Sequence, residues 1–130
     1  MASARLPRPM PDPAATVHAR DALLGVLVGA IHADGKVVPA EVREARLQAR
    51  GVPALGLTGD EVQARLPEVR ATLERVGEVA FLDACVAALP PELMVRAFRA
   101  VAEIMPADGS VPPAEERYLA RLASAMSLPR

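Results

Sequence analysis

Apolar residues recur at intervals of three and four along most of the chain, and strand-like alternation of any length is missing. The clearest stripe includes Leu93, Ala97, Val101 and Ile104, a spacing that places them on one face of a helix. Other stripes end at proline, glycine or capping residues, as helices do. The pattern therefore predicts six or seven helices, over residues 16 to about 34, 39–51, 58–76 with an interruption or restart at Pro67, 78–89, 92–105 and 113–126.

Several residues predict where these helices begin and end. Thr16 has the chemistry of an N-cap, and Thr58 with Glu61 has the spacing of a capping box. Pro39 suits the first position of a helix, and Gly35 suits the left-handed residue that closes one. Short loops joining such helices predict an all-α fold, a compact bundle in a single domain.

The N-terminal segment has a different composition from the rest of the chain. Prolines alternate at positions 7, 9, 11 and 13, and each removes a main-chain donor and restricts the preceding residue. We therefore expect residues 1–13 to form a flexible tail and residues 14–130 to form the helical domain.

Composition narrows the classes of function. Aromatic residues make up 2% of the chain and the formal net charge is −1, so the basic excess and the stacking side chains of nucleic-acid-binding proteins are missing. The most apolar stretch, residues 22–31, is shorter than the roughly twenty residues of a membrane-spanning helix. Cys85 is the sole cysteine, which rules out an intrachain disulfide and predicts a core thiol rather than a nucleophile. These features indicate a cytoplasmic protein with no direct membrane insertion.

The most informative feature is an internal repeat. The segment 33–41, Ala-Asp-Gly-Lys-Val-Val-Pro-Ala-Glu, recurs at 107–115 as Ala-Asp-Gly-Ser-Val-Pro-Pro-Ala-Glu, a constant offset of 74 residues. An apolar helix is predicted before each copy, and a helix opened by proline is predicted after it. The repeat therefore predicts two similar halves related by a pseudo-twofold axis.

Each copy resembles the Ala-Asp-Gly-x-Val-x-x-x-Glu signature of the TerB-like tellurite-resistance domain, and the resemblance covers roughly residues 16–128. It implies an all-helical domain with internal pseudo-symmetry and an acidic cluster suspected of binding a metal cation. It also implies a role in bacterial stress or metal-oxyanion resistance, with no known catalytic activity. The acidic positions of the family correspond here to Asp34 and Glu41 in the first half and to Asp108 and Glu115 in the second.

Elementary chemistry agrees with a cation site at these four residues. If the pseudo-axis brings the two turns together, four carboxylates face one another, and their repulsion favours a divalent cation. An all-oxygen set suits Ca²⁺, Mg²⁺ or Mn²⁺. His32 could add a nitrogen ligand that favours Zn²⁺ or Mn²⁺, although its counterpart in the second half is Pro106. Neither copy has the ligand spacing of an EF-hand.

A purely architectural interpretation stays open at this stage. Asp-Gly is a common turn, and a glutamate in the first turn of a helix stabilises it by roughly 0.3–1 kcal/mol through the helix dipole. The leading hypothesis is a non-catalytic cation-binding module that passes its state to a protein partner, which family resemblance suggests is a membrane-embedded resistance protein or another stress component. The alternative is a protein–protein interaction scaffold in which the two acidic turns, at Asp34-Gly35 and Asp108-Gly109, only cap helices. An enzyme is disfavoured because the serines lack a histidine–acid relay and phosphate-binding glycine loops are missing.

Overall fold

The computed structural model describes residues 13–52, 55–109 and 111–127, and within them the side chains from residue 18 onward apart from that of Asp108. These residues form six α-helices and no strand, so the prediction of an all-α fold is confirmed. The helices are α1 Pro13–His32, α2 Pro39–Arg50, α3 Gly59–Val76, α4 Glu78–Ala87, α5 Pro91–Ile104 and α6 Pro113–Met126, with a 3-10 helix, Met105–Asp108, between α5 and α6.

Proline and threonine set most of the helix starts. Pro39, Pro91 and Pro113 each occupy the first position of a helix, where the missing N–H would have no intrahelical partner in any case. The Thr58 hydroxyl accepts a hydrogen bond from the main-chain N–H of Glu61 at 3.2 Å, and the Glu61 carboxylate accepts one from the Thr58 N–H at 3.2 Å. The predicted capping box is therefore present.

Two predictions, one about the start of a helix and one about an interruption within a helix, were wrong. Helix α1 begins at Pro13 rather than at Thr16, because proline is tolerated in the first turn of a helix. Helix α3 runs through Pro67 without interruption. Pro67 and Gln63 are both exposed, so water can replace the donor that the Gln63 carbonyl loses. Residues 1–12, most of the predicted flexible tail, lie outside the described residues.

Helix α1 forms the centre of the bundle. Residues 22–31 are all buried, and α1 packs against α2, α3, α4 and α5. Gly25 and Gly29 permit this close packing, because a Cβ at Gly25 would lie 3.0 Å from the Cys85 Sγ and one at Gly29 would lie 2.5 Å from the Tyr118 Oη. A helix that is apolar on every side is expected inside a core or a membrane. No helix in the described ranges is long and apolar enough to span a bilayer.

The packing of α2 positions the two acidic turns. Helix α2 lies against α5 and against the 3-10 helix that precedes the second turn, while α6 lies against α4 and α5. The start of α2 and the turn before α6 therefore come to the same region of the molecule.

Candidate metal centre

The first acidic turn follows the C-terminus of α1. The N–H of Gly35 donates to the His32 carbonyl oxygen at 2.9 Å, and Gly35 has φ +81°, a left-handed conformation that favours glycine. The Asp34 carboxylate accepts a hydrogen bond from the Lys36 N–H at 2.9 Å. This local bond orients Asp34, whose side chain is half-buried.

Glu41 enters the same region from the start of α2. It is the third residue of that helix, and its main-chain N–H donates to the Val38 carbonyl at 3.0 Å. Its relative accessibility is 1%, an unusual value for a glutamate in the first turn of a helix.

The described residues of the second acidic turn share several features with the first. The N–H of Gly109 donates to the Pro106 carbonyl at 2.8 Å, and Gly109 has φ +89°. Glu115 is the third residue of α6, and its relative accessibility is also 1%. The two glutamates that the repeat aligns are therefore both buried at equivalent positions of their helices.

Three of the four predicted ligands come together. One carboxylate oxygen each from Asp34, Glu41 and Glu115 lies within 4.8 Å of the others. The set joins both halves of the chain, because Asp34 and Glu41 come from the first turn and Glu115 from the second. The side chain of Asp108 lies outside the described residues, so its role as a fourth ligand stays a prediction.

The electrostatics of this acidic cluster, Asp34, Glu41 and Glu115, favour a counter-charge. Two ionised carboxylates at this separation repel by roughly 3–4 kcal/mol at an effective dielectric constant near 20, the case for the buried Glu41 and Glu115, and by about 1 kcal/mol where water screens them, as it does at the half-buried Asp34. The helix dipole stabilises each first-turn glutamate by only about 0.3–1 kcal/mol. The helix dipole is therefore weaker than the repulsion between the two buried glutamates, and a divalent cation between the carboxylates would reduce that repulsion. The oxygen-only donor set suits a hard cation.

His32 does not belong to the acidic cluster. Its Nε2 donates a hydrogen bond to the main-chain carbonyl of Leu66 at 2.8 Å, so that nitrogen is unavailable to an ion. Neither ring nitrogen lies together with the three carboxylate oxygens, so the geometry does not support the suggestion that His32 adds a ligand.

Cys85 behaves as the sequence predicts for a packed thiol. It is partly buried against the core, and burial raises the pKa of the thiol to about 12. The neutral form dominates at physiological pH, which makes Cys85 a poor nucleophile.

A groove between α1, α3 and α4 is a feature that sequence reasoning missed. Its volume is about 490 Å³, and Phe81, Cys85 and Val76 contribute to its largely apolar lining. The sequence does contain a sign of it, because Ala80, Ala84 and Ala88 place small side chains on one face of α4 and of the residue that caps it.

Comparison with known proteins identifies one family. A family model described as "Tellurite resistance protein TerB" matches residues 20–130. No curated protein and no solved structure matches the chain.

Proposed function

Because the chain belongs to the TerB family, we propose that it is a non-catalytic module that binds a divalent cation in bacterial stress or tellurite resistance. The ligands are Asp34, Glu41 and Glu115, with Asp108 as a fourth ligand from the repeat. The cation is Ca²⁺, Mg²⁺, Mn²⁺ or Zn²⁺, with the oxygen-only set favouring the harder ions.

One observation carries this proposal. Glu41 and Glu115 are buried to 1% accessibility, and both place a carboxylate oxygen within 4.8 Å of one from Asp34. Burying like charges together is costly, and a divalent cation held between them would lower that cost. The half-buried Asp34 leaves a side on which water can complete the coordination shell of such an ion.

We also propose that the cation-loaded domain acts on a protein partner on the cytoplasmic side, with a membrane-embedded resistance protein as the candidate. Val37 and Val111 support an interaction surface near the site. They occupy equivalent positions in the repeat, follow the two acidic turns, and are 47% and 39% exposed. The same exposed valines would serve the alternative function, an interaction scaffold that binds no ion.

A metal titration separates these two functions. Ca²⁺, Mg²⁺, Mn²⁺ and Zn²⁺ are added in turn while amide NMR spectra and the melting temperature are recorded. Binding predicts that at least one ion shifts the amide signals around Gly35 and Gly109 together, or broadens them in the case of paramagnetic Mn²⁺, and raises the melting temperature, since a ligand of the folded state stabilises it. A scaffold predicts no such shift with any of the four ions at millimolar concentration.

Matched variants then assign the ligands. Glu41→Gln and Glu115→Gln should each weaken binding at least about tenfold, because each removes a charged oxygen from the ion. Glu116→Gln is the control, since it makes the same change in charge at the exposed neighbour of Glu115. Equal losses in Glu115→Gln and Glu116→Gln would indicate general electrostatic attraction rather than ligation.

A further inference from the structure

His32 links the first acidic turn to a helix distant in sequence. It is the last residue of α1, two positions before Asp34, and its imidazole reaches the Leu66 carbonyl of α3 at 2.8 Å. A carbonyl oxygen only accepts hydrogen bonds, so Nε2 carries the hydrogen. The side chain therefore fixes the end of α1 to the middle of α3.

Asp34 depends on such an anchor more than the other two carboxylates of the acidic cluster. Glu41 and Glu115 are held by helices and are buried, whereas Asp34 lies on the non-helical segment 33–38 and is half-buried. Its carboxylate is oriented by the Lys36 N–H, a bond within the same turn. The position of the whole turn thus depends on what holds the chain at either side of it.

The two turns are anchored differently at their first residue. Gly35 donates to the His32 carbonyl just as Gly109 donates to the Pro106 carbonyl, so His32 and Pro106 hold equivalent positions. Proline restricts the backbone of the second turn through its ring. In the first turn that restriction is missing, and the histidine side chain supplies an external contact instead.

We propose that His32 is a positioning residue of the cation site: through the Leu66 carbonyl it holds the Asp34 turn so that the Asp34 carboxylate meets Glu41 and Glu115. The inference rests on the proposed function, because it concerns affinity for the same ion. His32 itself does not ligate. Hydrogen bonds that hold a ligating segment in place fix the orientation of the ligand before the ion arrives.

Three substitutions test the tether, by which we mean the hydrogen bond from the His32 imidazole to the Leu66 carbonyl. His32→Gln keeps an N–H donor that can reach the Leu66 carbonyl. His32→Leu removes the donor. His32→Asn is a second donor-loss variant, in case His32→Leu does not fold, because its shorter amide ends near the position of the ring Nδ1 and does not reach the Leu66 carbonyl. We expect both donor-loss variants to bind Mn²⁺ about tenfold more weakly and His32→Gln to stay within about threefold of the unmodified chain.

The Asp34→Asn background distinguishes positioning from ligation. If His32 acts through Asp34, donor loss in this background should change Mn²⁺ affinity no further. A loss that persists with Asp34→Asn, and that His32→Gln fails to rescue, would show that the imidazole binds the ion directly. Unchanged affinity in both donor-loss variants would also overturn the proposal.

A metal-free measurement separates failure of this inference from failure of the proposed function. Amide hydrogen exchange at Lys36 reports the bond to the Asp34 carboxylate, and exchange at Gly109 is the internal reference in the other turn. Donor loss should accelerate exchange at Lys36 only. If no ion binds to the unmodified chain but exchange at Lys36 is still faster in the donor-loss variants, the proposed cation site is wrong while the tether is confirmed. If exchange at Lys36 does not change in those variants, the tether itself is wrong.

Discussion

The Tyr118 hydroxyl donates a hydrogen bond to the main-chain carbonyl oxygen of Val26 at 2.6 Å, across 92 residues of sequence. Tyr118 belongs to α6 and is fully buried, whereas Val26 lies in the middle of α1. The bond therefore fastens the helix that carries Glu115 to the central helix of the bundle. It also satisfies the one polar atom of a side chain that otherwise packs as a hydrophobic residue.

Removing this hydroxyl should weaken the fold modestly. In Tyr118→Phe we expect the free energy of unfolding to fall by about 1 kcal/mol, the net value of one hydrogen bond. The Val26 carbonyl keeps its helical donor, so no buried acceptor is stranded. Urea denaturation measures the change. A loss above about 3 kcal/mol would mean that the hydroxyl does more than this single bond.

Gly29 should be intolerant of even one added carbon. In Gly29→Ala the new Cβ would lie 2.5 Å from the Tyr118 Oη and 3.1 Å from the Phe81 Cε2. Alanine gains about 1 kcal/mol of helix propensity, but overpacking costs roughly 1–3 kcal/mol, so a net loss of stability is expected.

The double variant Gly29→Ala with Tyr118→Phe provides the check on that clash. Because Tyr118→Phe removes the atom nearest to the new Cβ, the double variant should be more stable than the sum of the two single losses predicts. Strict additivity in urea denaturation would contradict a clash at the hydroxyl.

Neutralising Asp34 should stabilise the metal-free protein while weakening its response to metal. Asp34→Asn keeps an oxygen that can accept from the Lys36 N–H but removes one charge from the acidic cluster. We expect the metal-free unfolding free energy to rise by about 1 kcal/mol, because repulsion with Glu41 and Glu115 is relieved.

Thermal denaturation with and without Mn²⁺ measures both effects, and Glu116→Gln is the control for a change in net charge alone. If the three carboxylates serve only as helix caps, Asp34→Asn should leave the metal-free stability unchanged or lower it.

The Cys85 thiol should be slow to alkylate in the folded protein. A rise in its pKa from 9.0 to about 12 lowers the thiolate fraction at pH 8 by about a thousandfold. Iodoacetamide modification, followed by mass spectrometry, should therefore be far slower in buffer than in concentrated urea. Similar rates under the two conditions would show that the thiol is neither desolvated nor protected.

The same shift in pKa predicts a loss of stability in alkali. Burial raises the pKa of Cys85 in the folded state. The contribution of its neutral thiol to the free energy of unfolding is therefore complete below about pH 9 and disappears as the pH rises toward 12. Burial also raises the pKa of Tyr118 above its usual value of 10.0, so ionisation of Tyr118 lowers the free energy of unfolding further at higher pH.

Urea denaturation between pH 8 and pH 11 tests this prediction. The free energy of unfolding should fall with pH in the unmodified chain and fall less steeply in Cys85→Ala, which has no thiol to titrate. Parallel slopes in the two proteins would contradict the assignment to Cys85.

Local chemistry made most of the helices predictable. The periodic apolar residues of α5, the proline at the start of α2 and the Thr58–Glu61 capping box act within a few residues, so their outcome is readable in the chain itself. The errors came where context overrides local preference. Pro67 did not break α3, because its exposed side lets water replace a lost donor.

The sequence by itself determined the helices, the duplicated Asp-Gly turn and the identity of the acidic residues, because each depends on neighbours along the chain. Only the tertiary structure decided that Glu115 lies beside Asp34 and Glu41, that both glutamates are buried, and that His32 bonds to Leu66 rather than joining the acidic cluster. Those relationships join residues 34 to 81 positions apart, and they follow from how helices pack against one another, which no local pattern specifies.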